Sequence, residues 1–529
     1  MIESRSPLSR DQILDRLTTI LGPDQIETDE HALQESSVDR FKKYQSVHGV
    51  YSAPLPVAIA YATSTEDVAA VLAFADENLI NIVARSGRTG TEGGLETSVA
   101  DTIVLDLSRM DQILSVDPEN MQVTVQAGVT LQTLEDQLRA QGLTTGHSPQ
   151  SKPLAQYGGL VSTRSIGQFS TLYGAIEDMV VGLEAVFPGG RVTRIKAVPR
   201  RAAGPDIRHI VIGNEGALSV VTEVTLKVFR YYPENNRFHG ALVEDMATGI
   251  AMLREIITNG FRPSVARLYS PEDANQHFSH FSQGKCVVVL VAEGPEGIVR
   301  ATSEEITRVL DQHEHVKVDP SLIEAWFDNL NWGPDKIEAE KAAMLESHHL
   351  GYTTEVSADW SQVVDLYESV IRRIREEYPH AGDLTMLGGH SSHSYQTGTN
   401  MYFVYDYRIE ASPEEEIEKY HLPLNAIIVE EALRHGGSMV HHHGIGKYRT
   451  PWTEQEHGSA YPILAALKQS FDPNGIMNRG TIFPADGAIQ PAAAHPQDQL
   501  AQWRRGPEGT GGAQAAGDTA DAESTEGMD

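Results

Sequence analysis

Ser86-Gly87-Arg88-Thr89-Gly90-Thr91-Glu92-Gly93-Gly94 comes directly after the β-type run Asn81-Ile82-Val83-Ala84-Arg85, and the fold turns on how this stretch is read. Small residues placed after a strand let successive backbone N–H groups converge on an anion without side-chain obstruction. A Rossmann dinucleotide loop needs G-x-G-x-x-G opening straight into a helix. Here the spacing differs, and the continuation from Leu95 to Leu107 reads as loop and then strand. A P-loop needs Gly-Lys and then Ser or Thr, which the stretch lacks. Taken alone, the loop reads equally well as a tight turn.

It does not stand alone. Four further clusters of glycine and hydroxyl residues lie downstream: Gly146 to Ser151, Tyr157 to Gly167, Tyr173 to Val180 and Gly213 to Leu218. So many in one domain imply a long ligand lying against backbone. Around them, residues 53–232 alternate strand-like runs with short helices, starting with the run Pro56 to Thr63 and then a helix signal from Ser64 to Glu66. This reads as an α+β domain with mixed strands. Residues 1–52 carry an amphipathic stretch, Asp11 to Leu21, expected as a helix packed on the outside of that domain. Residues 233–430 show longer helical candidates between strands and read as a second domain, α/β or α+β, covering a substrate pocket. A C-terminal segment spans 431–484. Residues 485–529 have no apolar periodicity and read as a disordered acidic tail.

A chain of 529 residues with 40% hydrophobic content and 45 glycines suits an enzyme of two or three domains. The net charge of −31 argues against a nucleic-acid partner. No run is apolar and long enough to span a membrane. The lone Cys286 excludes an internal disulfide and reads as a small buried hydrophobe. A cytoplasmic location is the expectation, peripheral membrane contact being compatible with it, as is a homodimer.

The order of the glycine clusters resembles the FAD-binding domain of the vanillyl-alcohol oxidase and p-cresol methylhydroxylase superfamily, over about residues 54 to 483. The resemblance implies an α+β fold with a two-subdomain FAD domain, an α/β cap and a C-terminal segment returning to the flavin. It places Arg85, Ser86, Gly87, Arg88 and Thr89 at the pyrophosphate. Gly158, Gly159, Ser162, Thr163, Ser165, Gly167 and Asp178 fall along the isoalloxazine and ribityl, and Glu215, Gly216 and Val221 on the adenine side. Arg88 stands where the family loop has glycine, and it either meets a phosphate or points outward. The first loop has neither His nor Cys, so the flavin is expected to be non-covalent.

Within the superfamily, Thr145-Gly146-His147, Val161-Ser162-Thr163-Arg164, the run His393 to Phe403 and His441-His442-His443-Gly444-Ile445-Gly446-Lys447 are similar to alkylglycerone-phosphate synthases. Those enzymes exchange an acyl group for a long-chain alcohol on dihydroxyacetone phosphate through the flavin N5. By this resemblance Tyr402 is the acid/base and His147, His441, His442 and His443 line the reaction site. Arg267 and Lys341 are substrate-side cations, the lysine standing where the synthases grip phosphate with arginine. Related 2-hydroxy-acid dehydrogenases hold a metal with H-x-x-G-D-G-N-x-H and a later E-H-G. Here Tyr402 and His442 replace two of those ligands. In an extended segment His441 and His443 share a face opposite His442, so one ion cannot take all three, and no metal is expected. The small-molecule substrate is thus either lipid-like, for a synthase, or an alcohol or 2-hydroxy acid, for a FAD-linked oxidoreductase. A flavoprotein that merely stores FAD is disfavoured by the clustered His, Tyr and Arg.

Overall fold

The computed structural model describes residues 2–331 and 334–485. Its first layer is a parallel three-stranded core. Strand β1 (Ala58–Tyr61) and strand β2 (Ile82–Arg85) both pair with the central β3 (Ile103–Asp106). Helix α1 (Thr65–Glu77) links β1 to β2. It starts at Ser64, whose hydroxyl accepts from the Asp67 N–H at 3.1 Å, a cap that satisfies one orphan donor of the first turn. The N-terminal helix Arg10–Leu21 buries Ile13, Leu17 and Leu21, spaced by four, into the same core. The glycine loop thus runs from a strand into another strand, without the helix a Rossmann unit requires.

The second layer is an antiparallel sheet of five strands: β4 (Ile113–Asp117), β5 (Gln122–Gln126), β6 (Val180–Phe187), β7 (Arg191–Ile195) and β8 (Val220–Lys227). They lie in the order β4-β5-β8-β6-β7. Mixed parallel and antiparallel sheets in one half of the chain bear out the α+β reading.

The cap is one antiparallel sheet of seven strands: β9 (Arg237–Val243), β10 (Val265–Tyr269), β11 (Cys286–Ala292), β12 (Val316–Val318), β13 (His349–Asp359), β14 (Leu384–Ser391) and β15 (Gly398–Arg408). They lie in the order β12-β9-β11-β10-β14-β15-β13. Period-two alternation sorts β15 cleanly. Met401, Phe403, Tyr405 and Tyr407 are fully buried in the core, while Tyr402, Val404 and Asp406 face a cavity. Register puts Glu355 of β13 and His390 of β14 directly beside Tyr402, on either flank. Cys286 is buried on β11.

After helix α2 (His421–Arg434) the chain returns to the first layer. The Ile82 N–H donates to the Ile476 carbonyl at 2.8 Å, and the Asn478 N–H donates to the Ile82 carbonyl at 2.8 Å. The segment from His441 to Lys447 is thereby held between the first domain and the cap. The tail expected from residue 485 lies, apart from Ala485, outside the described residues.

Candidate active site

A cavity of about 560 Å³ runs from the glycine loop to the cap sheet. One end is a cradle of backbone and small residues, including Ser86 to Gly90, Gly158, Gly159 and Gly216. Gly87 is required for close approach. A Cβ there would lie 2.5 Å from the Leu154 carbonyl oxygen and 2.8 Å from the Gln156 nitrogen, so the loop packs directly on the backbone of its neighbour. Three lining side chains, Ser86 Oγ, Gln156 Oε1 and Gln168 Oε1, are buried without a hydrogen-bond partner. Buried polar atoms are costly to leave unpaired, so a polar ligand along this wall fits what the residues lack.

At the cap end, Arg449 organises the reactive groups. It is fully buried, 3.1 Å from Glu92 and 3.3 Å from Glu355. Burial raises both carboxyls, but the guanidinium, joined by His443 and His421 at Glu92 and by His443, His442 and the His441 N–H at Glu355, outweighs it and holds Glu92 below, and Glu355 well below, the usual range. The Glu355 carboxylate also accepts three successive backbone N–H groups, from His441 (2.9 Å), His442 (3.2 Å) and His443. That anion-centred turn sets the direction of each imidazole.

His443 is placed between acid and phenol. Its Nδ1 lies 3.5 Å from Glu92 and 3.6 Å from Glu355, and its Nε2 is 3.2 Å from the Tyr402 hydroxyl. Thr353 donates to the Tyr402 oxygen at 3.0 Å, leaving the phenolic proton free to point at His443. Burial, with Glu355 and Glu92 nearby, pushes the Tyr402 hydroxyl up. A phenol lowered toward neutrality by an imidazolium is therefore not what the structure provides, and Tyr402 stays protonated. The His390 ring stacks on Tyr402 at 4.7 Å, and its Nδ1 meets the buried Asp273 at 2.7 Å.

Beside this row lies a cation. Arg267 on β10 is buried and lines the cavity. Its Nη1 donates to the Tyr269 hydroxyl at 2.7 Å, its Nε has no partner, and no carboxylate pairs with it among the described residues.

Residues 56–196 match the model of the FAD binding domain, and residues 232–482 that of the C-terminal domain of FAD linked oxidases. The chain belongs to the FAD-linked oxidase family. It is a flavoenzyme, and FAD is its cofactor. A protein of Escherichia coli O157:H7 described as an uncharacterized FAD-linked oxidoreductase, YgcU, is 61% identical over 90% of this chain and 99% of its own. Alkyldihydroxyacetonephosphate synthase of Caenorhabditis elegans is 27% identical, over 82% of this chain and 77% of its own. The glycolate oxidase subunit GlcD of Bacillus subtilis is 25% identical, over 90% and 97%. Among solved structures, an alkyldihydroxyacetonephosphate synthase superposes with a TM-score of 0.69 at 22% identity, covering 90% of this chain and 88% of that one. p-Cresol methylhydroxylase with substrate bound gives 0.69 at 17%, covering 90% and 98%. The expected superfamily fold is thereby borne out.

Most residues expected at the FAD do line the cavity: Arg85 to Thr89, Gly158, Gly159, Ser162, Thr163, Ser165, Glu215, Gly216 and Val221. Their roles differ from expectation in several places. Arg85 is tied to Asp106 at 2.7 Å, and Arg88 turns outward to the Glu35 carbonyl at 3.2 Å rather than inward. The Glu215 carboxylate accepts from the Ile445 and Gly446 N–H groups, each at 2.7 Å, and so fastens the C-terminal segment; burial raises it to about 7. Gly167 packs on the Ser148 backbone, outside the cavity. Asp178 is exposed, and its carboxylate caps the Ala175 N–H at 3.0 Å.

Of the catalytic set, Tyr402, His442 and His443 line the cavity, and Arg267 joins them. His147 does not. It is buried against Ser165, with burial taking its pKa down to about 3. His441 faces a second cavity of about 400 Å³, lined also by Tyr395. Lys341 is half-exposed, paired with Glu338 at 3.0 Å, and the cavity is reached by its neighbour Glu340. One residue of helical phase separates the two. His390, which sequence reasoning did not place at the site, is buried in its core. Glu92, Glu355 and Arg449 were not singled out by the sequence; alternation sorts β13 and β15 into faces but does not fix the register that pairs Glu355 with Tyr402.

Proposed function

We propose that this flavoenzyme oxidises a small, hydrophilic 2-hydroxy acid, with Arg267 holding the carboxylate and the Tyr402–His443 pair taking the hydroxyl proton. The observation that carries this reading is Arg267, a buried guanidinium in the cavity wall with an unpartnered Nε and, among the described residues, no acidic partner. A buried cation in this state favours an anionic ligand, and guanidinium suits a carboxylate. The rest of the cap end of the cavity favours a polar substrate over a long alkyl chain: it includes Arg40 and Lys43 of the N-terminal segment and Gln276, His277, Glu340 and Asp406 of the cap. That favours the oxidoreductase over the synthase reading. Two further relatives are named as D-lactate dehydrogenases, of Anaerostipes hadrus and Saccharomyces cerevisiae.

FAD supplies the hydride acceptor. The chain handles the charge and the proton. Arg267 orients the acid, and the phenol of Tyr402 accepts the hydroxyl proton while handing its own to His443 Nε2. The imidazolium so formed is held by Glu92 and Glu355, whose negative charges Arg449 supports. Electrostatic support of this kind is worth most in a dry site. We also infer that FAD is held without a covalent bond, since the glycine loop carries no His or Cys.

Anaerobic mixing with a panel of 2-hydroxy acids tests the reading. The expected result is bleaching of the flavin by at least one of them, with colour returning when an electron acceptor is added. No bleaching by any member, together with turnover of an acylated dihydroxyacetone phosphate and a long-chain alcohol without an acceptor, overturns it in favour of the synthase.

A further inference from the structure

Tyr402, Val404 and Asp406 alternate onto one face of β15, and all three line the cavity. Arg267 lies on the other side of Tyr402. Strand β10 sets Tyr269 beside His390 and Leu268 beside Ser391, while His390 itself sits beside Tyr402. Arg267 is therefore displaced along the strands away from Asp406. The order along the sheet is guanidinium, reacting phenol, distal carboxylate. A substrate whose carboxylate is held by Arg267 and whose hydroxyl meets Tyr402 has the rest of its chain running toward Asp406.

The distal end is built from groups that match hydroxyls. Asp406 accepts from the amide of Gln276, on the helix Pro271–Phe278. Register sets Asp406 beside Gly351 of β13, and a Cβ at that position would collide with the Asp406 carboxylate, so glycine leaves it room. Lys43 arrives at the same level from the N-terminal segment. Its Nζ lies 3.3 Å from the Gly351 carbonyl and 4.9 Å from the centre of the Tyr352 ring. Glu340 reaches across from the cap to Lys43 and, at 3.3 Å, to Arg40. Both cations thus already face a carboxylate, whereas Arg267 faces none among the described residues. A second carboxylate on the substrate would find these cations engaged and Asp406 repelling it. An alkyl tail would strip water from the ion pair without replacing its hydrogen bonds. A hydroxyl both donates and accepts, and so bonds to Asp406 and Lys43 alike.

On the basis of the hydroxy-acid reading, we propose that the substrate is a polyhydroxylated 2-hydroxy acid, an open-chain sugar acid whose terminal hydroxyls are bound by Asp406, Gln276 and Lys43. Extended strand from Tyr402 to Asp406 covers about 13 Å. A tail of about four carbons beyond C2 spans roughly 6 Å, and a hydrogen bond of about 2.8 Å at each end brings it close to that separation. A hexonate fits, and lactate leaves the distal groups unused. The chemistry is unchanged: C2 goes from carbinol to ketone, the hydroxyl proton passing to Tyr402 and the hydride to FAD.

The test is anaerobic stopped-flow reduction of the FAD-loaded full chain by 2-hydroxy acids that share the C1–C2 head and differ in the tail. Lactate, 2-hydroxyhexanoate and 2-hydroxyglutarate, in both configurations, are set against the hexonates gluconate and galactonate with their C2 epimers. At least one hexonate should reduce the flavin with a second-order rate constant about tenfold or more above all the others, because a site built to bond hydroxyls discriminates against analogues that lack them. Asp406→Ala and Gln276→Ala, with flavin absorbance as the control for folding, should lower the hexonate-to-lactate ratio about fivefold or more, and Asp406→Asn, which keeps an acceptor, should be intermediate. Reduction by lactate, the alkyl acid or 2-hydroxyglutarate as fast as by any hexonate overturns the proposal and leaves the hydroxy-acid reading standing. A ratio unmoved by Asp406→Ala overturns it as well. Reduction by no member of the series overturns the hydroxy-acid reading itself, and the sugar-acid assignment with it.

Discussion

Replacing Arg449 by methionine removes the one cation between two buried carboxylates. The guanidinium makes four contacts: Glu92 (3.1 Å), the Glu355 side chain (3.3 Å), and the Glu355 and Met439 carbonyls (3.1 Å each). Breaking a buried ion pair by deleting one partner costs about 3–5 kcal/mol, because the other charge remains buried and uncompensated. At about 1.4 kcal/mol per tenfold, the folded-to-unfolded ratio should fall by roughly two to three and a half decades. The pH dependence should reverse as well. In the parent chain the Glu355 carboxyl lies well below its unfolded value, so its contribution is present above that value and is lost as pH falls toward the folded one. Without Arg449 the carboxyls are raised by burial, and acidification from neutrality should restore stability by neutralising them. Urea unfolding at several pH values, monitored by flavin fluorescence and circular dichroism, reads both effects. Arg449→Met combined with Glu92→Gln should recover part of the loss, since one uncompensated charge is gone. A cost under about 1 kcal/mol, or a double variant no better than the single one, refutes the assignment of Arg449 as the keystone of the site.

Tyr402→Phe should keep FAD and lose about 10²- to 10⁴-fold in turnover, measured by stopped-flow reduction of the flavin; an unchanged rate returns the phenol to an ordinary sheet residue. Arg267→Ala should raise KM for a carboxylate substrate by an order of magnitude or more, with Arg267→Lys intermediate, because lysine keeps the charge and loses the fork. Gly87→Val should lose FAD and destabilise the chain by about 1–3 kcal/mol, as its Cβ meets backbone that cannot swing away; a fully loaded yellow protein contradicts the cradle. Acid precipitation should leave the flavin in the supernatant, and colour in the pellet contradicts a non-covalent cofactor.

The glycine loop was legible because the element after it decides its meaning: a strand from Ile103, in place of a helix, excludes a Rossmann unit from sequence alone. Tyr402 was legible through the resemblance, and the parity of β15 separates it from Tyr405 and Tyr407 without any resemblance. Lys341 was placed by the resemblance alone, which aligns residues without fixing the phase of a helix whose apolar face is weak, and one residue decides between solvent and cavity. His147 was misplaced for a different reason. A Thr-Gly-His stretch carries no information on which side of its turn the ring packs, and Gly146, at φ +69°, sends the chain back against Tyr173.

The histidine triplet shows most plainly what a linear pattern omits. Parity arguments hold where the backbone is extended, and nothing in His441-His442-His443 signals that it is not. The signal sits far away in the chain, at Glu355, whose carboxylate gathers the three N–H groups. Glu355 in turn is held ionised by Arg449 buried beside it, together with the imidazoles and N–H groups it faces, and Arg449 is shared with Glu92 of the glycine loop. One chain of charge therefore joins the cofactor cradle, the cap sheet and the C-terminal segment. The direction of each imidazole is thus a property of all three parts. Glu355→Gln should keep an acceptor for the turn but lose a negative charge that supports an imidazolium at His443 during turnover. Such a variant should retain FAD while flavin reduction slows; an unchanged rate means that Glu355 shapes the turn and nothing more.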